Sequence, residues 1–437
     1  MATAPVKISY LKLTQKDVQA IATRHEMLFS GRMGGARGVF AFCDLSGLDL
    51  SNRNLCDADF TGAILAETNL RGARLDSASF FGADLRRASL EGARLRRADL
   101  RGASLRGAHM TNADLFEADL REGQIAEKER NGNLRYVRHE TRTTEMPAAM
   151  LVSANLERAR MSGTLAVQAD FTDAVMRNCK LVRANLRGAT LRGANLENAD
   201  LSGCDLSSAD LEGAILAGAT MTMARTDGAN LRNVLTDKPM GLSLDTLPRP
   251  IEEILESHRL WVETEGMEGT AAALPEIDLR PVKTLSHYLL TAIIAPRACL
   301  YGMDLSGAKL QGAQLAGADL RYAKLAGADL RGANLSGAKL TNADLRDVAA
   351  GPLILRNDEL LPARFTSACL RYSDCSGADF RMASLSATDL AAAKLRAANL
   401  RGADLTNAAT TGSDFTGANI RDALVPSTLS RVELENR

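Results

Sequence analysis

The side chains able to do chemistry are few, and they do not converge along the sequence. Five histidines, His25, His109, His139, His258 and His287, would supply acid–base catalysis or metal ligation only with carboxylates or cysteines at fixed spacing beside them, and no such spacing occurs. His25 and His258 instead hold matching places on the apolar faces of two predicted helices. Each is expected to be a packed imidazole with one nitrogen bonded to backbone. The seven cysteines contain no Cys-x-x-Cys pair, and Cys369 and Cys375 are the nearest two. Cys43, Cys179 and Cys204 stand where neighbouring segments place alanine, which marks them as small buried hydrophobes. There is no phosphate loop and no nucleophile motif. On these grounds no catalytic, cofactor-binding or metal-ligating residue is assigned, no cofactor is called for, and the chain is read as a non-enzyme.

Two further residue classes are candidates for binding. Aspartate or asparagine recurs immediately before an apolar residue, as at Asp84, Asp99, Asp119, Asn185, Asn195 and Asp200. Alone, such an array would attract cations, but the arginines interspersed with it predict a solvated face of mixed charge. Phe81, Phe116, Tyr322 and Tyr372 fall at outward positions and offer isolated aromatic contacts. Positive and negative side chains balance at 53 each. The stretch 42–125 holds 13 acidic and 11 basic residues, and 150–236 holds 9 of each. That balance argues against nucleic-acid binding, which needs a basic excess to neutralise phosphate.

The elements that must position these residues follow a five-residue period. Centres, the large apolar residues, fall every five positions from Leu45 to Ile125, including Leu50, Phe60, Leu70, Phe80 and Leu90. Alanine sits two residues before most centres, as at Ala58, Ala73 and Ala83, and glycine often sits two after, as at Gly62, Gly72 and Gly92. Period five matches neither helix nor strand. A backbone that turns a corner every five residues buries the centre and the preceding small residue, and the glycine suits a corner with positive φ.

On these residues, exemplified by Ala83-Asp84-Leu85-Arg86-Arg87 and Ala98-Asp99-Leu100-Arg101-Gly102, the chain resembles the pentapeptide-repeat proteins, whose usual unit is A-(D/N)-L-x-x. The resemblance covers roughly 300 of the 437 residues. It implies an all-β solenoid, a right-handed quadrilateral β-helix with four pentapeptides per coil, here with short capping α-helices and two solenoid modules. Residues 20 apart then stack. Phe40, Phe60 and Phe80 should form an internal column, Arg71 should lie over Glu91 and Asp76 over Arg96, while Arg86 over Arg106 would be a like-charge clash.

The organisation expected is a segment 1–39 with a capping helix, a first solenoid 40–236 and a helical linker and second cap 237–299. A second solenoid 300–425 and a tail 426–437 complete it. The first solenoid changes phase across 126–149, read as a polar hairpin turning at Asn131-Gly132 or, second, as disorder. The second keeps phase across 350–364, read as a degenerate coil or a loop. Thr14 with Asp17 forms a capping box ahead of Val18, Ile21, Ala22, His25, Leu28 and Phe29 at helical spacing. Pro250, placed at the first helical position, precedes the matching Ile251, Ile254, Leu255, His258, Trp261 and Val262. A further helix is expected over Leu285–Ala295.

The N-terminus does not read as a signal peptide, and the longest apolar run, Tyr288 to Ala295, is too short to span a bilayer, which favours the cytoplasm. The leading functional expectation is a non-enzymatic protein–protein interaction scaffold, with another protein as partner and no membrane span. Rod ends and edges of this kind are compatible with a dimer. The alternative, implied by the resemblance, is a DNA-mimicking modulator of DNA gyrase or topoisomerase. It is weakened here by the absence of an acidic excess.

Overall fold

The computed structural model describes residues 10–128, 134–356 and 358–426. The chain divides into two compact units, Met1–Lys238 and Pro239–Arg437. In each, the backbone turns after every five residues and pairs with itself 20 residues on, as in Asp59↔Ser79↔Asp99 and Asp304↔Lys324↔Asp344. Four corners therefore close one coil, and each unit is a four-sided β-helix.

The backbone around Leu85 shows why this path is stable without helix or long strand. Asp84 donates its amide to Ala63 of the coil below (2.9 Å), while Leu85 and Arg87 donate to Ser104 and Arg106 of the coil above (2.8 and 3.0 Å). The amide of Ala88 closes the turn on the Leu85 carbonyl (3.1 Å), and that of Arg86 donates to the Asp84 carboxylate (3.2 Å). All five amides of the repeat are satisfied, as a buried or half-buried backbone requires. Within the uninterrupted coils the residue two after a centre has positive φ whether or not it is glycine, 67° at Gly102 and 57° at Arg97, as the second central residue of a type II turn does.

Inside, every centre from Leu45 to Leu120 is buried. Phe40, Phe60 and Phe80 stack with ring centroids 4.8 and 4.9 Å apart and nearly parallel planes. The small inward slot also takes a hydroxyl or thiol. Thr68, Cys204, Thr388 and Ser413 each donate to the carbonyl of a centre 23 residues earlier.

In the first unit, β1 (Leu11–Lys12) pairs in parallel with β2 (Cys43–Asp44), and α1 (Gln15–Phe29) lies between them in the chain. α1 starts at a reciprocal capping box of Thr14 and Asp17, and its Val18 and Ala22 join the core of the coils. Leu28 and Phe29, expected on the buried face, are exposed, because the chain leaves the helix there and returns through Gly35. A Cβ on Gly35 would come within 2.4 Å of the Leu28 amide nitrogen. The coils are interrupted by β3 (Gly123–Lys128) and β4 (Leu134–Arg142), an antiparallel pair. Asn131 and Gly132 lie outside the described residues.

In the second unit, α2 (Ile251–Glu263) buries Ile251, Ile254, Leu255 and His258, with Trp261 half-buried. Pro250 stands one position earlier than expected. It is the extended residue before the helix, and its carbonyl accepts the Ile254 amide (3.2 Å). The helix expected over Leu285–Ala295 does not form. These residues are coil, bridged as Thr284↔Asp304, Leu289↔Lys309 and Ile294↔Gln314. Leu285, Leu290 and Ala295 continue the five-residue phase of Leu300, and that register, with a coil above to pair with, outweighs local helical spacing.

The interruption near 350–364 is an inserted hairpin, β5 (Leu353–Ile354) against β6 (Leu360–Leu361). The tail expected from 426 lies, beyond Pro426, outside the described residues.

Candidate functional site

His25 and His258 are buried, and each accepts a backbone amide at Nδ1, from Gly38 (2.9 Å) and Ala272 (3.1 Å) respectively. That bond sets the neutral tautomer with the proton on Nε2, an atom without a well-formed hydrogen bond in either residue. Burial holds both imidazoles below the usual histidine range. For His25 the Cys56 carbonyl opposes that shift without cancelling it. His109 and His287 are exposed and separate, and for His139 only the backbone is described, within β4. All seven cysteines are free thiols. Among the described residues no three His, Cys, Asp or Glu side chains converge on a metal-sized site.

The recurrent aspartates have a local task that spacing alone did not reveal. Asp84 accepts the amide two residues on and is gripped by the Arg86 guanidinium at 2.8 and 2.6 Å. The same Asp-x-Arg clamp forms at Asp99–Arg101, Asp119–Arg121, Asp329–Arg331, Asp344–Arg346 and Asp379–Arg381. Burial pushes the Asp84 and Asp119 carboxyls up, but the paired arginines outweigh it and hold both below the usual carboxylate range. At Asp319–Arg321 the clamp is fully buried, with a 2.6 Å ion pair.

The stacked charges partly follow the expected register. Arg71 meets Glu91 (3.1 Å), whereas Asp76 pairs with the Arg94 guanidinium (3.0 Å) and accepts only the backbone amide of Arg96. Arg96 turns instead onto the Phe116 ring, 4.8 Å from its centre. The feared clash is avoided because Arg86 and Arg106 each take a carboxylate, Asp84 and Glu145. The expected aromatic contacts are half-buried and occupied: Arg101 covers Phe81, Asn342 donates to the Tyr322 hydroxyl, and Arg371 lies over Tyr372.

Two wall regions depart from this neutral pattern. In the first unit a groove of about 740 Å³ gathers six cations, Arg97, Arg101, Arg121, Arg158, Arg160 and Lys180, around three carboxylates, Asp99, Glu117 and Asp119. In the second unit the β5–β6 hairpin lies on the wall over Gly332, and a groove of about 600 Å³ runs beside it. Here Ile354, Leu360 and Met382 are 66%, 43% and 49% exposed, between Arg331, Arg381 and Arg401. Neither region was visible from sequence, because each is assembled from residues that become neighbours only after 20-residue stacking and insertion.

The family model for pentapeptide repeats matches the chain in eight copies, at residues 43–82, 83–121, 154–193, 194–233, 298–337, 313–348, 363–396 and 383–422, together more than half its length. The gaps in the match fall on the two hairpins and on the stretch containing α2. No curated protein matches. Among solved structures, the chain is similar to HetL, a pentapeptide repeat protein involved in heterocyst differentiation regulation from the cyanobacterium Nostoc. The identity is 24% over 76% of this chain and 90% of that one, with a TM-score of 0.23. It is 34% identical to alr5209, a pentapeptide repeat protein from Nostoc, over 25% of this chain and 82% of that one, with a TM-score of 0.21. QnrB1, a plasmid-mediated fluoroquinolone resistance protein, is 21% identical over 44% and 86%, with a TM-score of 0.26.

Proposed function

The chain belongs to the pentapeptide-repeat family, whose fold is a right-handed β-helix, and we propose that this member is a non-enzymatic protein–protein interaction scaffold acting in the cytoplasm. In this reading α1 and α2 cap the first coils of two solenoid modules, and the walls present fixed surfaces to another protein. The observation that carries the proposal is the apolar cluster Ile354, Leu360 and Met382, exposed beside Arg331, Arg381 and Arg401. Exposed apolar clusters of this kind mark interaction surfaces.

The clamps support the same reading from the side of charge. A DNA mimic needs a continuous acidic face, whereas here carboxylate after carboxylate is answered by an arginine two residues away. Proximity labelling from the full chain in its own cells should return a reproducible protein partner, and gyrase supercoiling should proceed unaltered in its presence. Labelling that returns no reproducible protein, or inhibition of supercoiling at low protein concentration, would reverse the assignment.

A further inference from the structure

We propose that the arginine-rich groove of the first unit is a docking site for an acidic, extended segment of a partner protein. The inference rests on the scaffold reading and gives one wall a partner of stated chemistry.

The groove crosses four successive coils. The ladder stacks Asp99, Asp119, Arg160 and Lys180, and a parallel column of corner residues holds Arg97, Glu117, Arg158 and Asn178. Among the described residues six cations line the groove with three carboxylates, and each carboxylate holds one arginine closely, Glu117 with Arg97 (2.8 Å), Asp99 with Arg101 (2.7 Å) and Asp119 with Arg121 (2.8 Å), which leaves Arg158, Arg160 and Lys180 without a close carboxylate of their own. The sharing is loose. Asp119 is 3.8 Å from Arg160 and 4.0 Å from Arg101, and Glu117 is 3.6 Å from Arg158. Lys180 has no carboxylate at ion-pair distance among the described residues. Arg158 and Arg160, 3.6 and 3.8 Å from carboxylates that already hold Arg97 and Arg121, are placed to take a second carboxylate.

Length and charge select the occupant. Four coils about 4.8 Å apart span about 14 Å, and alternate side chains of an extended peptide, about 6.8 Å apart, place three carboxylates at i, i+2 and i+4 over the same distance. Three carboxylates match Arg158, Arg160 and Lys180. The patch is also bounded: the ladder puts Ser79 below Asp99 and Asp200 above Lys180. A nucleic-acid backbone making about 6–10 phosphate contacts would run past this bounded patch and onto Asp200.

The test is fluorescence anisotropy of a short labelled peptide of alternating glutamate and serine, titrated with the full chain, beside its glutamine counterpart. The glutamate peptide should bind, weaken as salt rises and lose about tenfold in affinity in the Arg158→Gln/Lys180→Gln variant, with the thermal unfolding midpoint unchanged. The glutamine peptide should not bind. Equal binding of the two peptides, or wild-type affinity in the variant, would overturn the proposal. So would displacement of the peptide by duplex DNA or inorganic polyphosphate at lower concentration than by unlabelled peptide. Failure here leaves the apolar cluster at Ile354 and Leu360 untouched. Failure of the scaffold reading would show at that cluster while this peptide still bound.

Discussion

The buried imidazoles of His25 and His258 tie stability to pH with a definite sign. Their folded-state pKa lies below the unfolded value of about 6.5, so the unfolded chain takes up protons first as pH falls. Their contribution is therefore fully present above about pH 6.5 and is lost progressively below it. The urea midpoint should drop between pH 7.5 and 5.5, and a His25→Asn/His258→Asn chain should lose most of that dependence. A second prediction concerns the buried Asp319–Arg321 pair. Asp319→Ala removes the carboxylate that faces the buried Arg321 guanidinium and should cost about 3 to 5 kcal/mol in urea unfolding, whereas Asp319→Ala with Arg321→Met should recover most of it. Burial pushes the Cys204, Cys299 and Cys375 thiols up to about 12, so a thiol reagent should leave these three unmodified until the chain unfolds. Sequence placed His25 and His258 correctly because helical spacing puts each on an apolar face. It missed the Asp-x-Arg clamp because two residues of separation says nothing about a side chain that folds back over its own turn.

Insertions obey an arithmetic that explains which of them the sequence reveals. Glu145 bridges to Ser104, the place residue 124 would hold in an uninterrupted coil, so the first insertion adds 21 residues. That is one more than a multiple of five, and every later centre shifts by one. Arg364 bridges to Asn334, the place residue 354 would hold, so the second insertion adds 10 and leaves the phase unchanged. The first was legible as a phase shift. The second was ambiguous between coil and loop because a multiple of five is silent. The account predicts that deleting residues 122–142, with Thr143→Gly to suit the corner, yields a chain that unfolds as cooperatively as wild type. Deleting only 122–141 leaves Met146 six positions after Leu120 instead of five and should lower the thermal midpoint clearly. The missed coil over Leu285–Ala295 has a similar origin. The run is apolar enough to read as a helix, and only pairing with Leu305–Leu315 shows which period governs it.

At the scale of the molecule, repetition made the fold legible and the function opaque. A five-residue unit that satisfies all its own amides and most of its own charges can be extended without adding any site, so specificity has to come from places where the unit is broken or its charges fail to cancel. The uncancelled cations and the exposed apolar cluster are such places, and neither leaves a linear motif. The central claim is that the interrupted wall of the second unit touches another protein. Its most direct test is a photo-crosslinking amino acid placed at Ile354 in the full chain within its own cells, with the same group at the exposed wall position Arg187 as control. The account predicts one recurrent protein adduct from position 354, lost when Leu360→Asp is added, and none from position 187. Equal labelling from both positions, or no protein adduct from position 354, would contradict it.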